Sequence, residues 1–156
     1  MENYDLLMET AAAYGLQVVE KDFKSEAKGL IKGNKIGIRK EMLSVEKGCA
    51  LAEEVAHYLT TVGNILDQSD VRNRKQELRA RQWAYHCMIP MDQIVVAHKA
   101  RVSGRYALAE FLEVTEEFLQ NAIDRYTSKY GLFLKVDERF TIQFEPLGVI
   151  EKFSEN

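Results

Sequence analysis

Residues 50–59, Ala50-Leu51-Ala52-Glu53-Glu54-Val55-Ala56-His57-Tyr58-Leu59, decide how this chain is read. The spacing is that of a His-Glu-x-x-His zinc-peptidase helix in which the first histidine has become Glu53. On an α-helix Glu53 and His57 stand one turn apart on one face, as two ligands of one metal must. Glu54 is then the base that acts on the water the metal binds. The same spacing also describes a solvated helix on which a glutamate and a histidine form an i,i+4 surface pair, so the surroundings must decide.

Glu77 follows His57 by 20 residues, on the next expected helix. At about 100° per residue it falls in line with Ala80, Ala84 and Met88, whereas Arg72, Lys75 and Arg79 turn away and Arg74 lies at the flank. A carboxylate on the small-residue stripe of a basic helix calls for a cation, because burying an unpaired charge is costly. A metal is one answer, with Glu53, His57 and Glu77 as ligands and a fourth position open for water. An i,i+4 ion pair with Arg81 is the other, worth a few tenths of a kcal/mol, and both stay open.

Glu53 changes the chemistry as well as the pattern. A carboxylate reaches about as far from its Cβ as an imidazole nitrogen does, and zinc accepts carboxylate oxygen. Two carboxylates and a neutral imidazole cancel the charge of Zn2+, so such a centre polarises water and carbonyls less than one with two histidines. The harder donor set also admits Mn2+ or Fe2+.

At 156 residues, 46% of them hydrophobic, the chain is long enough for one well-buried domain and short for two. The expectation is a single domain over 1–156, with a core over about 1–130 and a C-terminal extension over 131–156. A net charge of −3 leaves no overall footprint for nucleic acid. The run Arg72, Arg74, Lys75, Arg79, Arg81 reads as a solvated helix face. No basic leader precedes an apolar stretch and nowhere do 18 apolar residues run together, so the expected location is the cytoplasm, with no membrane partner. Cys49 and Cys87 read as reduced thiols; Cys49, one turn before Glu53, is either an alternative ligand or a buried structural thiol.

Apolar spacing predicts a helix over 4–14 ending at Gly15, then a short strand over 16–19. Residues 28–32 and 35–39 flank Gly33-Asn34, a hairpin signal because both turn residues tolerate positive φ. The strand over 35–39 is the expected seat of an extended substrate, held along a free sheet edge. Ser44 is the expected N-cap of a helix reaching Thr61, broken by Gly63-Asn64. A polar loop through Asp67 and Asp70 leads to a helix over 71–89, ended by Pro90. Asp92, Ser103 and Thr115 are expected to cap three further helices, running to about 102, 112 and 129. Strands are expected over 132–136 and 139–144, and the tail after Pro146 gives no clear reading. The fold class is therefore α+β: mainly helical, with a small antiparallel sheet and a zincin-like active-site helix.

Residues 106–126 scan like a helix-turn-helix with Thr115 opening the second helix. Glu116 and Glu117 would then meet the phosphates first, which argues against DNA and for helical packing through Leu108, Leu112, Phe118, Ala122 and Tyr126.

The order of a short helix, a small sheet, GCALAEEVAHYLTTVGN, NRKQELRARQWAYHCMIP and LAEFLEVTEEFLQNAI resembles the ImmA/IrrE metallopeptidase-like proteins, especially compact versions from prophages and mobile elements. The likeness covers roughly residues 1–130. Its most specific parts are 52–58 and the Ala80, Trp83, Ala84, Pro90 pattern. The resemblance implies a zinc-dependent endopeptidase that cleaves a partner protein, commonly a helix-turn-helix repressor. It assigns His57 to the second metal histidine and Glu54 to the catalytic glutamate. Glu53 departs from the first histidine, and Arg79-Ala80 from the usual Glu-Ala pair, so Glu77 must supply the third ligand. The alternative is a degenerate peptidase fold that binds a regulator or phage protein without cutting it.

Overall fold

The computed structural model of the chain describes residues 2–60 and 71–153. The expected helix break at Gly63-Asn64 and the loop through Asp67 and Asp70 lie outside these residues. The chain divides into two compact units, residues 1–88 and 89–156.

The first unit opens with helix α1 (Asn3–Ala13), stopped where Gly15 takes φ +76 and Leu16 N–H turns back to the Ala11 carbonyl. Strands β1 (Gln17–Lys21), β2 (Gly29–Lys32) and β3 (Lys35–Arg39) follow, then helices α2 (Ser44–Thr60) and α3 (Val71–Met88). Gly33 at φ +62 makes the β2–β3 hairpin possible, and Ile31 pairs with Ile36 across it. β1 returns to pair with β3 in parallel, Val18 opposite Ile36, so the strand order is β1-β3-β2 and β3 is the middle strand.

Period-2 alternation sends Ile36 and Ile38 inward, at 1% and 0% exposure. They meet α2, which packs on β2, β3, α1 and α3. Leu51, Ala52, Val55 and Ala56 on α2 are fully buried, and Leu51→Ala alone should cost about 2–5 kcal/mol. α2 starts at its expected cap, Ser44, so Leu43 takes the capping position: it provides the carbonyl for Lys47 N–H, while Glu46 reaches back to Leu43 N–H at 3.4 Å. Lys47 of α2 also bonds Glu20 of β1, fixing the sheet's inner edge to the helix.

The second unit holds α4 (Met91–Lys99), α5 (Arg105–Leu112) and α6 (Glu116–Tyr130), then the antiparallel strands β4 (Phe133–Lys135), β5 (Phe140–Phe144) and β6 (Leu147–Glu151). Thr115 caps α6 by accepting from Phe118 N–H at 3.0 Å, and Gly131 at φ +82 closes it. Asp92 and Ser103 are not caps; Pro90 and Gly104 stand at those positions, and Asp92 lies in the first turn of α4. Leu108, Leu112, Phe118, Ala122 and Tyr126 are all buried, as the packing reading of 106–126 requires. Tyr126 keeps its hydroxyl satisfied by donating to the Ile89 carbonyl at 3.1 Å. β6 is the element the sequence left unread: Glu145 and Pro146, joined by a cis peptide bond, turn β5 into it, and a proline there carries no ordinary hairpin signal. The chain is thus α+β, and no helix among the described residues is long and apolar enough to cross a membrane.

Candidate functional site

All four candidate residues belong to the first unit, three on α2 and one on α3. The inward side of α3 is the stripe that sequence periodicity indicates: Ala80, Ala84 and Met88 are buried, while Arg72, Arg74, Lys75 and Arg79 are exposed. Glu77 is carried on that stripe toward α2, where its Oε2 lies 3.5 Å from His57 Nδ1. Both side chains keep only 19% of their surface exposed. The second carboxylate oxygen of Glu77 accepts from Arg81 Nε at 3.2 Å, one turn along. So the two readings of Glu77, facing His57 and pairing with Arg81, hold at once, each using one oxygen.

A separation of 3.5 Å is too long for a good hydrogen bond. It is close to the roughly 3.3–3.4 Å edge of a tetrahedron with 2.0–2.1 Å arms, the distance between two donors of one zinc ion. In that respect the pair fits a metal. A catalytic zinc takes three protein ligands, however, and among the described residues no three His, Cys, Asp or Glu side chains form a group able to hold one. Glu53, one turn before His57, is not gathered with the pair into such a group. Cys49 is buried in α2 and Cys87 is exposed on α3.

Glu54 is set apart from its neighbour by where α2 meets the sheet. It points toward Gly29 at the start of β2: a Cβ added there would lie 3.1 Å from Glu54 Cγ and 3.3 Å from Ile38 Cδ1. A residue without a side chain is what lets the carboxyl lie against the strand. Burial pushes the Glu54 pKa up to about 7, and the neighbouring charges of Glu53 and Glu77 add to the shift. A carboxyl that titrates near neutrality can both take and return a proton there, which is what a general base and acid must do.

The expected substrate strand needs correction. Residues 35–39 form β3, which is hydrogen-bonded to β1 on one side and β2 on the other, so its main chain is already paired. The sheet edge beside Glu54 is β2, which among the described strands pairs only with β3. The parallel return of β1, which makes β3 central, has no local signature. Gly29 was also missed: it read as part of a hairpin strand, and only the approach of α2 gives it a role.

The profile of the Peptidase_M78 family, described as the IrrE N-terminal-like domain, matches residues 11–124. No curated protein and no solved structure matches the chain. The match spans most of the chain and includes both α2 and α3, so the chain belongs to the Peptidase_M78, IrrE N-terminal-like family of metallopeptidase-like proteins.

Proposed function

We propose that the chain is a metal-dependent endopeptidase that cleaves a partner protein, a helix-turn-helix repressor of a mobile element being the substrate class to test. The observation that carries this reading is the Glu54 carboxyl, set against the edge strand β2 and titrating at about pH 7 beside the His57–Glu77 pair. An extended peptide added to the free edge of β2 would be held through its main chain, with tolerance for sequence, and its backbone would run past Gly29 to Glu54. Glu54 takes a proton from the attacking water and returns it to the leaving nitrogen.

His57 and Glu77 are the residues that would hold the metal, with Glu53 the third donor if it is drawn in. A bound Zn2+, or Mn2+ or Fe2+ given the carboxylate-rich set, would supply Lewis-acid polarisation of the scissile carbonyl and a more acidic water. Arg81 holds the other oxygen of Glu77 and so fixes the direction in which that carboxylate points.

A second reading has its own observation. The described residues do not close a three-donor set, and Glu77 already has a cation in Arg81. Those facts favour a peptidase fold that binds a regulator or phage protein without cutting it. Metal content of untagged protein, measured together with cleavage of the candidate repressor by the native chain and by Glu54→Gln, separates the two. Bound metal and cleavage that disappears with Glu54→Gln support the endopeptidase. Stable repressor binding with no metal and no cleavage supports the binder, and cleavage indifferent to Glu54→Gln overturns the proposed role of that residue.

A further inference from the structure

The sheet of the first unit has a second face that the site does not use. Its inner face, with Gly29, Ile31, Ile36, Ile38 and Val18, is turned to α2. Alternation puts the intervening residues on the outer face, and the register lines them up in three rows. One end row is Gln17, Lys35 and Lys32. The middle row is Val19, Gly37 and Leu30. The other end row is Lys21 and Arg39, extended to Lys28 by the Arg39 N–H bond to the Lys28 carbonyl. Five of these nine positions are cationic and none is acidic; Glu20, the acid of β1, is on the inner side with Lys47.

Two features of this face work against the isolated protein. Lys32 and Lys35 sit directly opposite each other across the hairpin, and like charges in that relation are destabilising. Val19 and Leu30 stand on either side of Gly37 with 54% of each exposed, two aliphatic side chains open to solvent between the cationic rows. Lys21 and Phe23 cover Gly37 itself, Lys21 Cδ at 3.1 Å and the ring edge at 3.4 Å from where a Cβ would stand. Lys21 and Arg39 approach the same ring at 5.9 and 5.5 Å. Arg39 is steadied further by the carbonyls of Ser25 and Ala27.

We propose that this outer face docks an acidic segment of a partner protein that carries an apolar residue between its carboxylates. The spacing specifies the segment. Two residues advance a strand by about 6.6 Å, so the backbone positions of the cationic rows are about 13 Å apart with those of Val19 and Leu30 midway. An extended chain has the same repeat, so acids at i and i+4 meet the two rows while an apolar side chain at i+2 meets Val19 and Leu30. Single-stranded nucleic acid fits less well. Its bases would need an open aromatic platform, and Phe23 is packed on Gly37 and already approached by two cations, leaving Val19 and Leu30 as the exposed apolar groups. The docking face lies on the side of the sheet away from Glu54, so it does not depend on whether the chain hydrolyses anything.

The test uses the full chain and a labelled peptide with a Glu-Ser-Leu-Ser-Glu core, titrated by fluorescence anisotropy at low and high salt. Its counterpart with Gln for both Glu, an oligothymidylate and phosphatidylserine vesicles are run beside it. The acidic peptide should bind more tightly than the Gln peptide, the oligonucleotide and the vesicles, and should weaken as salt rises. Lys32→Glu with Lys35→Glu should weaken it roughly tenfold, since each exposed attraction becomes a repulsion. Lys32→Gln with Lys35→Gln gives a smaller loss and serves if the reversal disturbs the hairpin. Leu30→Ser should weaken both peptides. No binding of the acidic peptide, equal binding of the Gln peptide, tighter binding of the oligonucleotide or vesicles, or indifference to both lysine pairs overturns the proposal. Glu54→Gln should leave the affinity unchanged, and failure of the peptidase reading leaves these outcomes as they are.

Discussion

Replacing Glu54 by Gln should make the metal-free protein more stable at alkaline pH and nearly indifferent to pH across the neutral range. The pKa of Glu54 rises from 4.5 to about 7, mainly because burial penalises the charged form. A raised carboxyl pKa means the fold prefers the protonated group. Its favourable contribution is fully present below pH 4.5 and is lost as pH rises through about 7. At about 1.36 kcal/mol per unit, the loss on reaching pH 8 is about 3 kcal/mol, of which about 2 kcal/mol falls between pH 5 and pH 8. Gln keeps the shape and carries no charge, so that slope should vanish in the variant. Urea unfolding at several pH values between 5 and 8, in a chelator so that no metal compensates the carboxylate, measures the difference directly. Parallel pH profiles for the native chain and Glu54→Gln would refute the claim that this carboxyl is the half-buried, self-opposed charge of the site.

Gly29→Ala should cost about 1–3 kcal/mol, read by the same unfolding, because the new methyl must displace Glu54 Cγ and Ile38 Cδ1; an unchanged midpoint would mean the strand yields freely. Glu53→His should raise zinc affinity in a competition titration, because it returns about one unit of positive charge to the centre and restores a softer ligand; unchanged affinity would place residue 53 outside the metal's reach. Thr115→Ala should destabilise α6 by about 1 kcal/mol through loss of the bond from Phe118 N–H, a change that circular dichroism during denaturation will register, with no effect expected on the first unit's site.

Helix α2 was legible in residues 50–59 and α3 in the Ala80, Ala84, Met88 stripe, because helical sidedness is a property of spacing alone. The hairpin over 28–39 was legible for a similar reason: Gly33 and Asn34 tolerate the positive φ its turn requires, and Gly33 adopts it. Spacing also puts Glu77 on the stripe it shares with buried residues, the side from which it approaches His57. Two helices whose N-cap positions are Pro90 and Gly104 instead of Asp92 and Ser103 show the limit of local signals: a good capping side chain competes with the chain path that packing prefers. Tertiary structure alone decided that β1 returns in parallel to make β3 central and β2 the edge, since a pairing between distant residues leaves no mark in either segment. It alone decided that Glu54 lies against Gly29 and titrates near neutrality, because a pKa follows burial and neighbouring charge, which the order of residues along one helix does not contain.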